Sequence, residues 1–124
     1  IINENEIRQE LRDNVSDINI LAKTLIRNKK IDNLIITRGS EGAILMNKNY
    51  KAFSCPGFAS KSIDKVGAGD AMLSIASLGL KLKLDPELVL FISSLAAAIS
   101  VESIGNKEHV TYDKLDRTLE YILK

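Results

Sequence analysis

The chain is short of the residues that carry most redox and metal chemistry. Cys55 is its only cysteine, His109 its only histidine, and it has no tryptophan. A single cysteine cannot close an internal disulfide or build a cysteine-based metal cluster. A single histidine argues against catalytic zinc and against a Ser-His-Asp triad. Cys55 therefore reads as a semi-buried thiol of a cytoplasmic protein, and His109 as an exposed loop residue. Charge of one sign is lacking too: 17 basic and 16 acidic side chains leave a net charge of +1. No basic patch is interleaved with aromatics, which excludes nucleic acid as the expected partner.

Long apolar runs are also missing. The longest, Leu88 to Val101, is interrupted by Ser93, Ser94 and Ser100 and closed by Glu87 and Glu102. It falls short of the roughly 20 residues that span a bilayer and reads as a buried helix, so no membrane partner is expected. The opening Ile1-Ile2-Asn3-Glu4-Asn5-Glu6 has no basic region, no cleavage site and no initiator Met. It reads as a segment cut from the end of a strand.

What remains is an ordinary globular composition. The 124 residues are 45% apolar and 27% charged, which suits one domain with a modest core. The residue pattern predicts a short helix from Glu4 to Arg12. A longer one follows, capped by Asp17, with Ile18, Leu21, Ala22, Leu25 and Ile26 at helical spacing and Lys29-Lys30 at its end. Leu34 to Thr37 suits a buried strand, Arg38 to Gly42 a glycine-flanked turn, and Ala43 to Met46 a second strand. A turn at Asn47-Lys48-Asn49 leads to a short strand through Tyr50 and Phe53, which Cys55-Pro56-Gly57 breaks. An apolar helix is expected from about Asp70 to Leu82. Another starts at Asp85-Pro86-Glu87, and a last amphipathic one, capped by Thr111, turns Leu115, Leu119 and Ile122 inward. Helices, a strand cluster and helices again imply an α/β layered domain.

The segment richest in chemistry is Asp64-Lys65-Val66-Gly67-Ala68-Gly69-Asp70, followed at once by an apolar helix. Small residues at 67 to 69 let a ligand approach the backbone and expose successive N–H groups. With the positive end of the helix they form an anion site suited to a transferring phosphoryl group. A carboxylate on the first turn would stand ready to accept a proton from an attacking hydroxyl. On spacing alone, a glycine-rich helix start whose Asp is only a cap fits equally well. A P-loop is excluded, because no G-x-x-x-x-G-K-[ST] occurs. A dinucleotide oxidoreductase is disfavoured, because Met72 stands where the fingerprint wants Gly or Ala and Asp70 would face the pyrophosphate.

Asp64 to Asp70 resembles the D-[TRP]-x-G-A-G-D signature of ribokinase-like (PfkB-type) sugar kinases. Thr37-Arg38-Gly39-Ser40-Glu41-Gly42-Ala43 resembles the same family's T-x-G-x-x-G nucleotide segment, and Asn3-Glu4-Asn5-Glu6 its N-x-x-E motif. The three stand in family order over residues 3 to 70, and the helical remainder to Lys124 follows the family's layout. The resemblance implies the C-terminal, nucleotide-binding part of a three-layer ribokinase-like sandwich, acting with ATP and Mg²⁺ on a sugar hydroxyl. It makes Asp70 the base and the amides of Gly67, Ala68 and Gly69 the anion hole. It places Asn3 near the phosphates, Glu6 on Mg²⁺ through water, and Thr37, Gly39 and Gly42 around the nucleotide, with Arg38, Ser40 and Glu41 lining the pocket. Ser94 falls where family members often carry His or Asn near adenine. Asp64, Val66, Ser100, Ser103 and Gly105 correspond to a monovalent-cation (K⁺) loop used by some members.

Each motif also has a plainer reading. Asn3 and Glu6 could be a helix cap and its capping-box partner. Arg38 to Gly42 could be a simple hairpin turn, and the serines at 93, 94 and 100 could bond back to helix carbonyls. Lys65 reads as a solvated side chain. The resemblance further implies a missing N-terminal half that carries sugar recognition and the lid. The expectation is then an inactive fragment that associates with that half or with copies of itself to cover an open sheet edge. A non-catalytic nucleotide-binding or interaction module of the same fold is the alternative. The Asp64-Lys65-Val66 variant resembles 2-keto-3-deoxygluconate kinases, and Phe58 to Asn106 resembles the kinase part of heptose-phosphate kinase/nucleotidyltransferase proteins.

Overall fold

The computed structural model describes residues 1–58, 67–103 and 111–123. Asp64, Lys65, Val66, Gly105 and His109 lie outside them, and Ser103 enters only as the last backbone residue of a helix. A short strand β1 (Ile2–Asn3) runs straight into α1 (Glu4–Leu11), and α2 (Ile18–Lys29) follows. Next come β2 (Asn33–Thr37), a 3₁₀ turn (Gly39–Glu41), β3 (Ala43–Asn47) and β4 (Ala52–Cys55). Three helices complete the chain: α3 (Ala68–Lys81), α4 (Pro86–Ser103) and α5 (Tyr112–Leu123).

The four strands form one mixed sheet in the order β1-β2-β3-β4. β1 is parallel to β2, with Asn3 opposite Thr37, while β2, β3 and β4 are successively antiparallel. Strand alternation divides the apolar residues between the two faces. Leu34, Ile36 and Met46 pack with Ile7 and the five apolar residues of α2 named above. Ile35, Ala43 and Leu45 pack on the other face with Met72, Ala76, Val89 and Leu90 of α3 and α4. Each fully buried Leu or Ile adds about 1.5–3 kcal/mol of hydrophobic stabilisation. The result is the expected α/β sandwich, a sheet between two helical layers.

Local signals set the helix ends. The Asp17 carboxylate accepts from the Asn19 amide, and Lys30 closes α2 in a left-handed conformation. Asp85 Oδ1 accepts from the amides of Glu87 and Leu88 at the start of α4. The Lys114 amide donates to Thr111 Oγ1 at the start of α5. Among the described residues, no helix is long and apolar enough to cross a membrane.

Three local expectations need correction. Tyr50 sits in the turn with φ +63, so β4 begins only at Ala52. α3 begins at Ala68 rather than Asp70, which places Ala68, Gly69 and Asp70 together in its first turn. No residue of α5 is buried: Leu115 and Leu119 are half-buried and Ile122 is exposed, because α5 rests on α4 and, among the described residues, no further layer covers it.

Candidate functional site

Five segments surround a cleft of about 1270 Å³: the β1–α1 junction, the β2–β3 turn, the loop after β4, the first turn of α3 and one face of α4. All three sequence motifs meet there, through Asn3 and Glu6, then Thr37 to Ser40 with Gly42, then Ala68 to Asp70. The β1–β2 ladder is what joins the first two, since it sets Asn3 beside Thr37.

At the β1–α1 junction the capping box is formed. Asn3 Oδ1 accepts from the Glu6 amide at 2.8 Å, and Glu6 Oε2 accepts from the Asn3 amide at 3.0 Å. The plainer reading of these residues is therefore correct as local structure. It does not displace a ligand role, because both residues line the cleft and each keeps a second side-chain polar atom outside the box.

The β2–β3 turn is tightly folded. The Arg38 amide donates to the Gly42 carbonyl at 2.8 Å, and Gly42 itself has φ +92. The turn packs on the segment after β4, where a β-carbon on Gly57 would stand 2.6 Å from the Ser40 carbonyl oxygen. Gly57 is thus a site residue with no motif of its own. Arg38 is held by two carboxylates, Glu4 at 2.9 Å and Glu41 at 2.6 Å. Arg38 lines the cleft; Glu41 is exposed and reaches it only through Arg38. Glu4, a spacer in the N-x-x-E pattern, also pairs with Arg8 at 2.7 Å. The two guanidinium groups, Arg38 foremost, hold the Glu4 carboxyl below its ordinary range, while Glu4 pushes Arg38 up.

The start of α3 differs from the other four described helices, each of which opens on a side-chain cap. Gly67 is its N-cap, left-handed at φ +92, with no side chain to offer. Among the described residues no side chain caps the first turn, and Ala68, Gly69 and Asp70 of that turn line the cleft, an arrangement that favours an anion. Asp70 is the third residue of the helix and exposed, and around Gly69 there is open space. Ser100 Oγ approaches Gly67, so one expected cation-loop residue does lie against the α3 start.

On α4, Ser93 is buried and donates to the Leu90 carbonyl, as the plainer reading has it. Ser94 lines the cleft. Its Oγ is buried and, among the described residues, has no hydrogen-bond partner. Burial pushes the Cys55 thiol up, an effect that the neighbouring Ser94 hydroxyl partly offsets without completing a hydrogen bond. Among the cleft-lining residues described, Glu4, Glu6 and Asp70 are carboxylates and Arg38 is the one cationic side chain. Among the described residues, no group of three His, Cys, Asp or Glu side chains could hold a metal ion.

This fold and this cleft define the class: an α/β domain of the ribokinase-like kinases. Ribokinase from Thermotoga maritima superimposes with a TM-score of 0.77 at 25% identity, over 95% of this chain and 40% of that one. Phosphofructokinase-2 from Escherichia coli, solved with potassium, shares the fold with a TM-score of 0.78 at 18% identity, over 98% of this chain and 40% of its own. The family model for pfkB family carbohydrate kinases matches residues 1–111, and the chain belongs to that family. Among individual relatives, bifunctional protein HldE of Koribacter versatilis (strain Ellin345) is 33% identical over 104 residues, 84% of this chain. HldE of Geotalea uraniireducens (strain Rf4) is 34% identical over 84 residues, 68% of this chain. The chain spans 21% and 17% of those two proteins, and 40% of the two solved kinases.

Proposed function

We propose that the protein transfers a phosphoryl group from ATP to a hydroxyl of a sugar or sugar derivative, with Asp70 as the base. The observation that carries this reading is the meeting of Asn3–Glu6, Thr37–Gly42 and Ala68–Asp70 on one cleft, beside a helix start whose N-cap is Gly67. The amides of Gly67, Ala68 and Gly69 would stabilise negative charge on the moving phosphoryl group. Asp70, on that same first turn, would take the proton of the attacking hydroxyl.

The residues present fit ATP with Mg²⁺. Mg²⁺ is typically held by one or two carboxylates together with phosphate oxygens and waters, and the Glu6 carboxylate lines the cleft. Glu6 would hold that ion through water, and Asn3 would meet the phosphates. When bound, the ion supplies charge neutralisation between the phosphates. Thr37 to Gly42 would shelter the nucleotide, and Ser94 would offer a hydroxyl at the base. A K⁺ site near the α3 start is supported by Ser100 alone, its other candidate residues or side chains lying outside the described residues.

Sugar recognition, the lid and a partner that covers the free side of β1 would come from outside this chain, in a cytoplasmic kinase. The test is Asp70→Asn in the intact protein. Turnover should fall by about 10²–10⁴-fold, the usual contribution of a positioned base, with ATP–Mg²⁺ binding nearly unchanged. Near-normal turnover would reject Asp70 as base, and ATP binding without turnover in the wild type would favour a non-catalytic module. The acceptor screen should include 2-keto-3-deoxy sugar acids and heptose phosphates.

A further inference from the structure

Arg38 carries two carboxylates that are not equivalent. Glu4 takes Nε at 2.9 Å and Glu41 takes Nη2 at 2.6 Å, while Nη1 is taken by neither. The Glu4 side chain is 25% exposed and the Glu41 side chain 65%. Glu4 is anchored further: its other oxygen accepts from Arg8 Nε and Nη2, and Arg8 Nη1 donates to the Ser16 carbonyl. The backbone holds it as well, since Glu4 follows Asn3 and Arg38 follows Thr37, and that pair is in register across the β1–β2 ladder. Among the described residues the Glu41 side chain pairs with Arg38 alone, at a solvent-exposed position in a short turn.

We infer that Arg38 is the phosphate-binding cation of the cleft, that Glu4 is its fixed positioning residue, and that Glu41 is a counter-ion the nucleotide displaces. This rests on the nucleotide reading given above and adds to it a division of labour between two acids. An exposed ion pair contributes little, so Glu41 leaves cheaply. The Nη edge it vacates is a planar fork matched to phosphate oxygens. Glu4 cannot leave on the same terms, because Arg8 would lose its carboxylate and Arg38 the acceptor at Nε. The two carboxylates therefore act in opposite directions: one orients the guanidinium, the other competes for it.

The test is titration of the intact protein with three probes: ATP–Mg²⁺, inorganic tripolyphosphate and adenosine. Glu41→Gln removes the competitor and tightens ATP–Mg²⁺ and tripolyphosphate by about two- to fivefold, the scale of an exposed ion pair. Arg38→Ala weakens both by about tenfold or more, as loss of a charged hydrogen-bond donor does. Glu4→Gln weakens both by a smaller factor, raising the KM for ATP with kcat held. Adenosine binding stays unchanged in all three. If Arg38→Ala fails to fold, Arg38→Lys keeps the charge without the fork and gives an intermediate loss. Weaker or unchanged tripolyphosphate binding in Glu41→Gln overturns the inference while the kinase reading stands. So does a parallel fall in adenosine affinity in Glu4→Gln, which would mark a merely structural role. Wild-type protein that binds neither ATP–Mg²⁺ nor tripolyphosphate overturns both.

Discussion

Gly42 lies so close to Cys55 that a β-carbon on it would stand 1.9 Å from the Cys55 carbonyl oxygen. The same atom would meet backbone at Pro56 and Gly57, and φ at Gly42 is +92. Space and conformation therefore both demand glycine, and the β2–β3 turn is seated on the end of β4 because of it. Gly42→Ala should cost about 2 kcal/mol or more, combining left-handed strain with displaced backbone. Urea unfolding of the intact protein is the check; an unchanged midpoint would mean that the turn lifts freely off Cys55–Gly57.

Gly69 is the opposite case. Among the described residues nothing lies within 4 Å of a β-carbon built there, and the residue is in the first turn of α3. Gly69→Ala should leave stability unchanged or raise it by up to about 1 kcal/mol, the helix-propensity difference. Its effect should fall on nucleotide affinity and turnover instead, because the new methyl stands where a phosphate would approach. Equal loss of stability and activity would argue that the open space is structural.

Much of the scaffold was legible because its signals are local. All five apolar residues assigned to one face of α2 are buried, and Asp17 caps it. β4 was misread at its start because Tyr50 suits a strand by propensity. Asn47 Oδ1 accepts instead from the amides of Asn49 and Lys51 and folds those residues into a turn. α5 shows the limit of periodicity: the pattern marks an apolar face, but burial needs a layer above it. The site motifs were legible through their family resemblance, whereas Glu4 was not. Its partner Arg38 is 34 residues away, a distance that no local spacing encodes.

Acid should weaken the fold through Asp13. The Ser16 hydroxyl first, then the amides of Ser16 and Val15, hold its carboxyl at about 2 against an ordinary 3.8. The folded-state value is the lower one, so the unfolded chain takes up the proton first. The stabilisation is fully present above the unfolded value and is lost as pH falls from about 4 toward 2. Glu4, also held below its ordinary value, acts with the same sign. Asp13→Asn should flatten the acid limb of stability against pH; an identical slope in that variant would remove Asp13 as a contributor.

Ser94 and Cys55 make a linked prediction. Among the described residues the buried Ser94 hydroxyl finds no hydrogen-bond partner, a situation that costs a folded protein about 1–3 kcal/mol. Ser94→Ala should therefore hold or raise the urea midpoint, which most serine deletions in a packed helix would not. The Cys55 thiol is buried and pushed up, so its thiolate is scarce and iodoacetamide should react slowly until the protein unfolds. Removing the Ser94 hydroxyl takes away the one group that offsets that rise, and native-state labelling should slow further. If ATP–Mg²⁺ affinity falls in Ser94→Ala while stability holds, the hydroxyl is kept for the ligand rather than the fold. If stability falls instead, a partner for Ser94 exists in solution and the linkage to Cys55 is wrong.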